Sequence, residues 1–258
     1  MKNTIQVLVV LFSVVLSVSF IGFNRSLNES EMTEANSKAS GWLKKQLQNN
    51  EYGKFLSAIE LDEDAELTKV TLEVRSLVDS FDCSSLNKVI TIGEDEVEAI
   101  QDFKVGIKNC ATAVSENLTQ NPENVVVDFN RMVDDYKRAL AELEYPSDEV
   151  LRQDFEIIFY RYSHLIRQTE NTVLEPMTNY ILGDSAMRAN NENLFMVGPV
   201  LLSKIVFKYK DSIEITQYAW VRLQESIRFG YTGSSGDNTP RSWSTLLKDM
   251  SYIVTSNT

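Results

Sequence analysis

The segment NCATAVSENLTQ places a cysteine and an acceptor for an N-linked glycan within twelve residues of each other. The acceptor is Asn117, which begins an Asn-Leu-Thr triplet, and two further triplets begin at Asn24 and Asn28. Glycans are added to such triplets in proteins of the secretory pathway, although short triplets also arise by chance. Asn117, Asn24 and Asn28 are therefore predicted glycosylation sites whose use depends on the compartment.

The chain has two cysteines, Cys83 and Cys110. In an oxidising compartment, two cysteines most simply form one disulfide. A bridge that closes a loop of about 28 residues would stabilise the fold by roughly 3–4 kcal/mol on the chain-entropy model. The alternative is a pair of unrelated buried thiols. We expect the disulfide, which requires the two Cα atoms to lie within about 7 Å of each other.

Catalytic chemistry has little support among the remaining side chains. The single histidine, His164, has Tyr160, Arg161, Arg167 and Gln168 as helical neighbours, so one chain cannot supply a His-rich metal site or a Glu-x-x-His pairing. No nucleophile-elbow, zincin or phosphate-loop motif occurs in the sequence. The acidic segments LDEDAE and GEDEVE lack the ligand spacing of a calcium loop. We predict a non-enzymatic protein without a cofactor, in which His164 is structural and half-buried.

The first residues, MKNTIQVLVVLFSVVLSVSFIGF, bear on the compartment. Lys2 precedes an uncharged run at residues 4–23, which matches the charged and apolar regions of a secretory signal. Small serines precede a cut before Phe20, so we expect residues 1–19 to be removed and the protein to be secreted or to stay in the secretory pathway. The run is also long enough for an uncleaved membrane anchor. A buried N-terminal helix of a cytosolic protein is the third interpretation.

The composition excludes some fold classes and some kinds of binding partner. A chain of 258 residues can bury a sizeable core, and 10 Gly with 5 Pro argue against an all-β or disordered chain. The net charge of −12 disfavours nonspecific binding to nucleic acid or to anionic lipid. We therefore predict no nucleic-acid partner.

Helical periodicity dominates the chain from Leu61 onward. Apolar residues recur at intervals of three and four and predict successive helices over about 62–81, 94–120, 122–143 and from 147 on. Four aromatic residues, Phe155, Phe159, Tyr160 and Tyr162, form a stripe that we predict to be core; a lipid pocket between helices is the alternative. By domain, we predict a flexible lead-in with a short helix at 20–60, a helical domain at 61–230, and a loop with a closing helix at 231–258.

The longest apolar pattern lies in the second half of the chain, and we refer to it as the seam. Its positions alternate by four and three and are Leu202, Val206, Tyr209, Ile213, Thr216, Trp220, Leu223 and Ile227. A period of 3.5 residues predicts a coiled-coil-type contact on one long helix, which a partner helix must cover. The predicted fold class is therefore all-α, an antiparallel bundle of long helices with coiled-coil-type seams.

Three segments, together with the seam, resemble the BAR domains of the endophilin and amphiphysin type. They are ENLTQNPENV, ELEYPSDEVL and QTENTVLEPMTNYI, and the resemblance spans about residues 60–230. It implies a kink in the middle helix at Val173, Leu174, Pro176 and Met177, and a curved homodimer whose basic concave face contacts membranes. The residues that could contact lipid phosphates in such a dimer are Lys204, Lys208, Lys210, Arg222 and Arg228. The secretory leader and the net charge of −12 depart from this family pattern.

Two functions follow from these observations as expectations. The first is a BAR-like, non-enzymatic binding protein of the secretory pathway that forms a homodimer and has a membrane surface as a partner. The alternative is a secreted helical carrier of a lipid or another apolar ligand.

Overall fold

The structure, a computed structural model, describes residues 29–46, 67–81, 90–116, 124–143, 149–189, 191–209, 212–233 and 236–256. The first helices are α1 at 29–46, α2 at Lys69–Asp79, α3 at Glu98–Glu116 and α4 at Val125–Glu142. The next are α5 at Glu149–Tyr162, α6 at Leu165–Gln168, α7 at Glu175–Arg188 and α8 at Glu192–Phe195. The last are α9 at Val197–Lys208, α10 at Ile213–Tyr231 and α11 at Arg241–Thr255. The predicted all-α class is confirmed.

Helix α9 lies at the centre of the fold. Every residue from Val197 to Phe207 is buried, because the sequence VGPVLLSKIVF is apolar on nearly every side of the helix. Helices α2, α3, α7, α8, α10 and α11 all contact it. A helix without a polar face has to be surrounded by other helices, and this requirement organises the rest of the chain.

Two glycines allow α7 to approach α9 closely. A Cβ atom at Gly198 would lie 2.8 Å from the carbonyl oxygen of Gly183 and 2.1 Å from Cγ of Met187. Gly183 in turn faces the side chain of Leu202 on α9. A larger residue at position 198 would therefore push these two central helices apart.

The apolar stripes of α2 to α5 predicted the core. Buried members of these stripes are Val74, Val78, Ile100, Phe103, Ile107, Val126, Phe129, Val133, Tyr136, Phe155, Ile158 and Tyr162. Phe155 and Phe159 are fully buried and Tyr162 is buried, so these three members of the aromatic stripe are core as predicted, while Tyr160 is partly buried against the core. Val97 is 42% exposed, because α3 begins one residue after it.

The seam does not lie on one helix, so the prediction of a single long helix is wrong. Helix α9 ends at Lys208, the amide of Ser212 donates to the carbonyl oxygen of Tyr209 at 2.8 Å, and α10 begins at Ile213. Helix α10 then packs against α9 and α7. The burial that the period predicted is nevertheless present within a single chain, at Leu202, Val206, Thr216, Trp220, Leu223 and Ile227.

The middle helix of the BAR-like interpretation is also divided. Pro176 lies in the first turn of α7 instead of at a kink inside a long helix. Proline has no amide hydrogen to donate, so the first turn is where a helix tolerates it. Asn171, with a φ of 58°, lies in the turn that separates α6 from α7.

A short β-hairpin joins α10 to α11. Strand β1, Thr232–Gly233, pairs antiparallel with strand β2, Gly236–Asp237. The φ of Gly236 is 100°, a conformation that glycine adopts without a steric cost. The glycine-rich segment is therefore a tight connection, after which α11 packs on α10.

Helix α11 closes the core through buried polar contacts. Trp243 is fully buried, and its Nε1 donates to Oδ2 of Asp102 on α3 at 2.8 Å. Oδ2 of Asp249 accepts hydrogen bonds from the amide of Thr68 at 2.9 Å, the hydroxyl of Thr68 at 2.7 Å and the hydroxyl of Thr71 at 2.6 Å. The closing helix therefore belongs to the same core as α2 and α3.

Candidate functional site

A half-open groove of about 330 Å³ lies between α1, the first turn of α7 and the start of α10. Its apolar surface comes from Leu43, Pro176, Met177, Ile215 and the ring of Tyr218. Its polar groups belong to Asn36, Ser40, Ser212 and Glu214. A concave apolar surface with a few polar groups is typical of ligand sites in proteins.

Helix α1 forms one wall of the groove. Ala35, Ala39 and Leu43 recur every fourth residue and are buried against the core. The two alanines are small, so the helix backbone can lie close to its neighbours. Asn36 and Ser40 follow the alanines directly and line the groove.

Three side-chain contacts hold α1 in place. Trp42 packs edge-to-face on Tyr136 of α4, with ring centroids 6.0 Å apart. Nζ of Lys137, also on α4, lies 5.3 Å from the centroid of the Trp42 ring. At the other side of the groove, the ammonium of Lys44 donates to Oε1 of Glu214 on α10. Trp42 thus ties this wall to α4, while the solvent-exposed pair of Lys44 and Glu214 reaches across to α10.

A buried carboxylate fixes the second wall, at the start of α7. Glu175 is completely buried, and its oxygens accept from Nζ of Lys208 at 2.9 Å and from the amide of Asn171 at 2.6 Å. Nζ of Lys204 lies 3.0 Å from the same carboxylate. Burial alone would raise the pKa of Glu175, but the hydrogen bond from Lys208 and the charge of Lys204 outweigh it and hold the pKa at about 2.

The third wall presents a carboxylate and a phenol. Glu214 lies in the first turn of α10, and Tyr218 lies one turn further along the same face. Burial, together with the charge of Glu214, raises the pKa of Tyr218. The hydrogen bond to Glu214 raises the pKa of Lys44. The phenol of Tyr218, which lines the groove, is therefore neutral at neutral pH. The ion pair between Lys44 and Glu214 lies beside it.

A second buried carboxylate, Asp184, holds the interior together beneath this surface. Oδ2 accepts from the hydroxyl of Tyr136 and from Nε of Arg188 at 2.6 Å, and Oδ1 accepts from Nε of Arg222. Burial opposes ionisation, yet the charges of Arg188 and Arg222 keep the pKa of Asp184 at about 2. This cluster links α4, α7 and α10, the helices that α1 and the groove rest on.

The structure engages most of the predicted lipid-contacting cations in internal ion pairs. Lys204 and Lys208 are bound to Glu175, and Arg222 is bound to Asp184. These side chains offset buried carboxylates, and the side chain of Lys204 is only 8% exposed. The side chain of Lys208 is 33% exposed, and the lipid-phosphate contacts of the three cations remain predictions from sequence. Of the remaining two, Arg228 is exposed and Lys210 lies outside the described residues.

The part of the chain that the structure describes does not show the predicted disulfide. Cys110 is completely buried on α3 and is not disulfide-bonded there. Cys83, the three predicted glycosylation sites (Asn24, Asn28 and Asn117), and the leader at residues 1–19 all lie outside the described residues.

His164 is more deeply buried than the sequence suggested. The side chain is 5% exposed, and Nε2 lies 3.5 Å from Oδ2 of Asp128 on α4. Within the described ranges, no group of three or more His, Cys, Asp or Glu residues could hold a metal ion. The helices of those ranges also include none that is both long and apolar enough to cross a membrane.

Sequence reasoning did not find the groove. Its residues come from three distant segments, and no single one of them carries a motif. The available signal was the four-residue recurrence of Ala35, Ala39 and Leu43 within a segment that otherwise looks polar. Comparisons of the chain with protein-family models, with curated proteins and with solved structures found no significant match.

Proposed function

We propose that this chain is a non-enzymatic helical binding protein that holds a small amphipathic ligand in the groove. The groove itself carries the proposal, since it combines a volume of about 330 Å³ with apolar walls and polar groups at its edge. Known ligand pockets have volumes of about 300–1,000 Å³, so this groove lies at the small end of that range.

The volume favours a small ligand over a whole lipid. A cavity of about 150 Å³ accommodates one benzene molecule. The groove, at about 330 Å³, is therefore suited to an apolar body of roughly two rings. The carrier function expected from the sequence is narrowed accordingly, from lipids in general to small amphiphiles.

The walls of the groove support the proposal because they are fixed before a ligand arrives. Two contacts of Trp42, with Tyr136 and with Lys137, attach α1 to α4. The carboxylate of Glu175 fixes the start of α7 beside Pro176 and Met177. A preformed site binds more tightly than one that must be ordered on binding, because less conformational entropy is lost.

The BAR-like arrangement, the homodimer and the membrane surface remain predictions from sequence. The binding proposal does not need them, because Leu202, Val206, Thr216, Trp220, Leu223 and Ile227 of the seam are buried within one chain and Tyr209 is partly buried. Entry into the secretory pathway is kept as part of the proposal and rests on the leader-like run at residues 4–23.

The proposal is tested by filling the groove. Ser40 lines it from α1, so a Ser40→Trp variant places an indole in the space that a ligand would occupy. Ser244→Trp, at an exposed position of α11, is the matched control. Methyl NMR of Met177, Leu43 and Ile215 should report binding of small amphiphiles of up to two rings to the wild-type chain and to Ser244→Trp.

We expect Ser40→Trp to abolish these shifts while its circular dichroism spectrum stays that of the wild type. Mass spectrometry of an organic extract of the protein from a eukaryotic secretory host should show a ligand with the wild type and not with Ser40→Trp. Absence of methyl shifts in the wild type with every amphiphile in the panel would contradict the proposal.

A further inference from the structure

One side chain supplies the charge among the described residues that line the groove. Glu214 is the single charged member of the described residues that line it. Its side chain is 55% exposed and that of its partner Lys44 is 48% exposed. Ion pairs this exposed to solvent contribute little to stability, so the pair can open at small cost.

Lys44 shows which chemical group the carboxylate accommodates. Its primary ammonium donates to Oε1 of Glu214 from the opposite wall of the groove. The ammonium of Lys44 therefore occupies the position that the ammonium of a ligand would take. One charge-assisted hydrogen bond between an amine and a carboxylate is enough to form this contact.

The surface next to this carboxylate suits the rest of such a ligand. Tyr218 lies one helical turn from Glu214 and offers a ring face, which attracts both cations and apolar groups. Met177, at the start of α7, also lines the groove with a polarisable thioether that adapts to aromatic shapes, although its side chain is only 1% exposed. The net charge of the chain, −12, attracts a cation and repels an anion over longer distances.

We infer that the groove selects a small amphipathic amine, whose ammonium displaces Lys44 from Glu214 while its apolar body packs between Met177 and Tyr218. The inference rests on the proposed function and specifies the ligand class of the same groove. Lys44 then acts as an internal competitor that covers the carboxylate when no ligand is bound.

Three probes of the same size and different charge test this selection on the full chain. Phenethylamine carries an ammonium, 2-phenylethanol is its neutral counterpart, and 3-phenylpropionate carries a carboxylate. Titrations followed by methyl NMR should show that phenethylamine binds at least about tenfold more tightly than either control, because a charge-assisted hydrogen bond replaces a neutral one or a repulsion. Added salt should reduce this preference.

Two variants change the result in opposite directions. Lys44→Met removes the competitor, so the affinity for phenethylamine should rise several-fold. Glu214→Gln removes the counter-ion, so phenethylamine should bind no more tightly than 2-phenylethanol. Glu34→Gln is the matched control, because Glu34 forms a solvent-exposed ion pair with Lys38 on α1, and neither residue lines the groove. It should leave all three affinities unchanged.

The outcomes separate this inference from the proposed function. If the three probes bind equally to the wild type, or if Glu214→Gln keeps the preference for the amine, the selection of amines is wrong while ligand binding in the groove stands. If Lys44→Met weakens the binding of phenethylamine, the role of Lys44 as competitor is overturned. If no probe shifts the methyl groups of the groove, the proposed function fails as well.

Discussion

The hydroxyl of Thr216 lies 2.8 Å from the carbonyl oxygen of Tyr209, to which it donates a hydrogen bond across the break between α9 and α10. It also lies 3.0 Å from the carbonyl oxygen of Ser212. Carbonyl groups at a helix end need partners when they are buried. The amide of Ser212 donates to the same Tyr209 carbonyl, so the hydroxyl of Thr216 adds a second hydrogen bond there and reinforces the break.

Thr216→Val tests this role. Valine keeps the shape and the burial but removes the donor, while the Tyr209 carbonyl keeps the amide of Ser212 as a partner, so the free energy of unfolding should fall by about 0.5–1.5 kcal/mol. Urea denaturation measures the change in the free energy of unfolding. Thr216→Ser, which keeps the hydroxyl, should lose less stability than Thr216→Val. Equal losses in the two variants would assign the effect to packing instead.

Trp220 is the largest side chain of the seam and is 3% exposed. Its Nε1 donates to the carbonyl oxygen of Leu247 on α11 at 3.1 Å. Trp220→Ala should lower the free energy of unfolding by about 3–5 kcal/mol, because it opens a cavity between α10 and α11. Trp220→Phe keeps most of the apolar contact and should lower the free energy of unfolding clearly less than Trp220→Ala. Equal losses in the two variants would show that the indole is dispensable.

The pKa of about 2 for Glu175 predicts a specific acid sensitivity. The value in the unfolded chain is about 4.3. Because folding lowers the pKa, the ionised carboxylate contributes stability above about pH 4.5, and this contribution is lost as the pH falls from about 4.5 towards 2. Asp184, whose pKa is also about 2, acts in the same direction.

Unfolding free energies between about pH 5 and pH 2.5 should therefore fall less steeply for Glu175→Gln than for the wild type. Each protein is referred to its own value at neutral pH, because the variant also loses the ion pairs with Lys204 and Lys208. Glu31→Gln, at an exposed position of α1, is the control and should follow the wild-type slope. Parallel curves for all three proteins would contradict the assigned role of Glu175.

The oligomeric state discriminates between the two functions expected from sequence. We expect a compact monomer in sedimentation velocity at micromolar concentration, because the described residues of the seam are covered by helices of the same chain. An elongated dimer would contradict this expectation and would favour the BAR-like assembly.

The leader gives a prediction for the mature protein. Expression in a eukaryotic secretory host should yield a chain that begins at Phe20, because the run at residues 4–23 matches a signal peptide. Intact mass after glycosidase treatment measures the cut. Retention of residues 1–19 would indicate the membrane anchor instead.

Periodicity predicted which residues are buried better than it predicted where helices end. Phe103, Phe129 and Phe155 were all placed in the core because their neighbours recur at helical spacing. The break near Tyr209 was missed because the 3.5-residue pattern continues through it without interruption. A pattern of burial does not distinguish one long helix from two helices that both bury the same face.

The charged interior and the groove could not be read from the sequence for a related reason. Helix α7 is buried on all sides, so Glu175 and Asp184 do not stand out on a polar face. Their partners, Lys208 and Arg222, lie more than thirty residues further along the chain. Such contacts depend on the tertiary arrangement, and the three-segment groove depends on it in the same way.

The hydrogen bonds from Thr68 to Asp249 join residues that are 181 positions apart in the chain. During synthesis, the ribosome makes α2 long before α11. The donors at the start of α2 therefore exist long before Asp249, the carboxylate of α11 that accepts their hydrogen bonds. Contacts of such long sequence separation slow folding, because a large loop must close before they form. We therefore expect the nascent chain to reach its native core only after α11 has emerged from the ribosome.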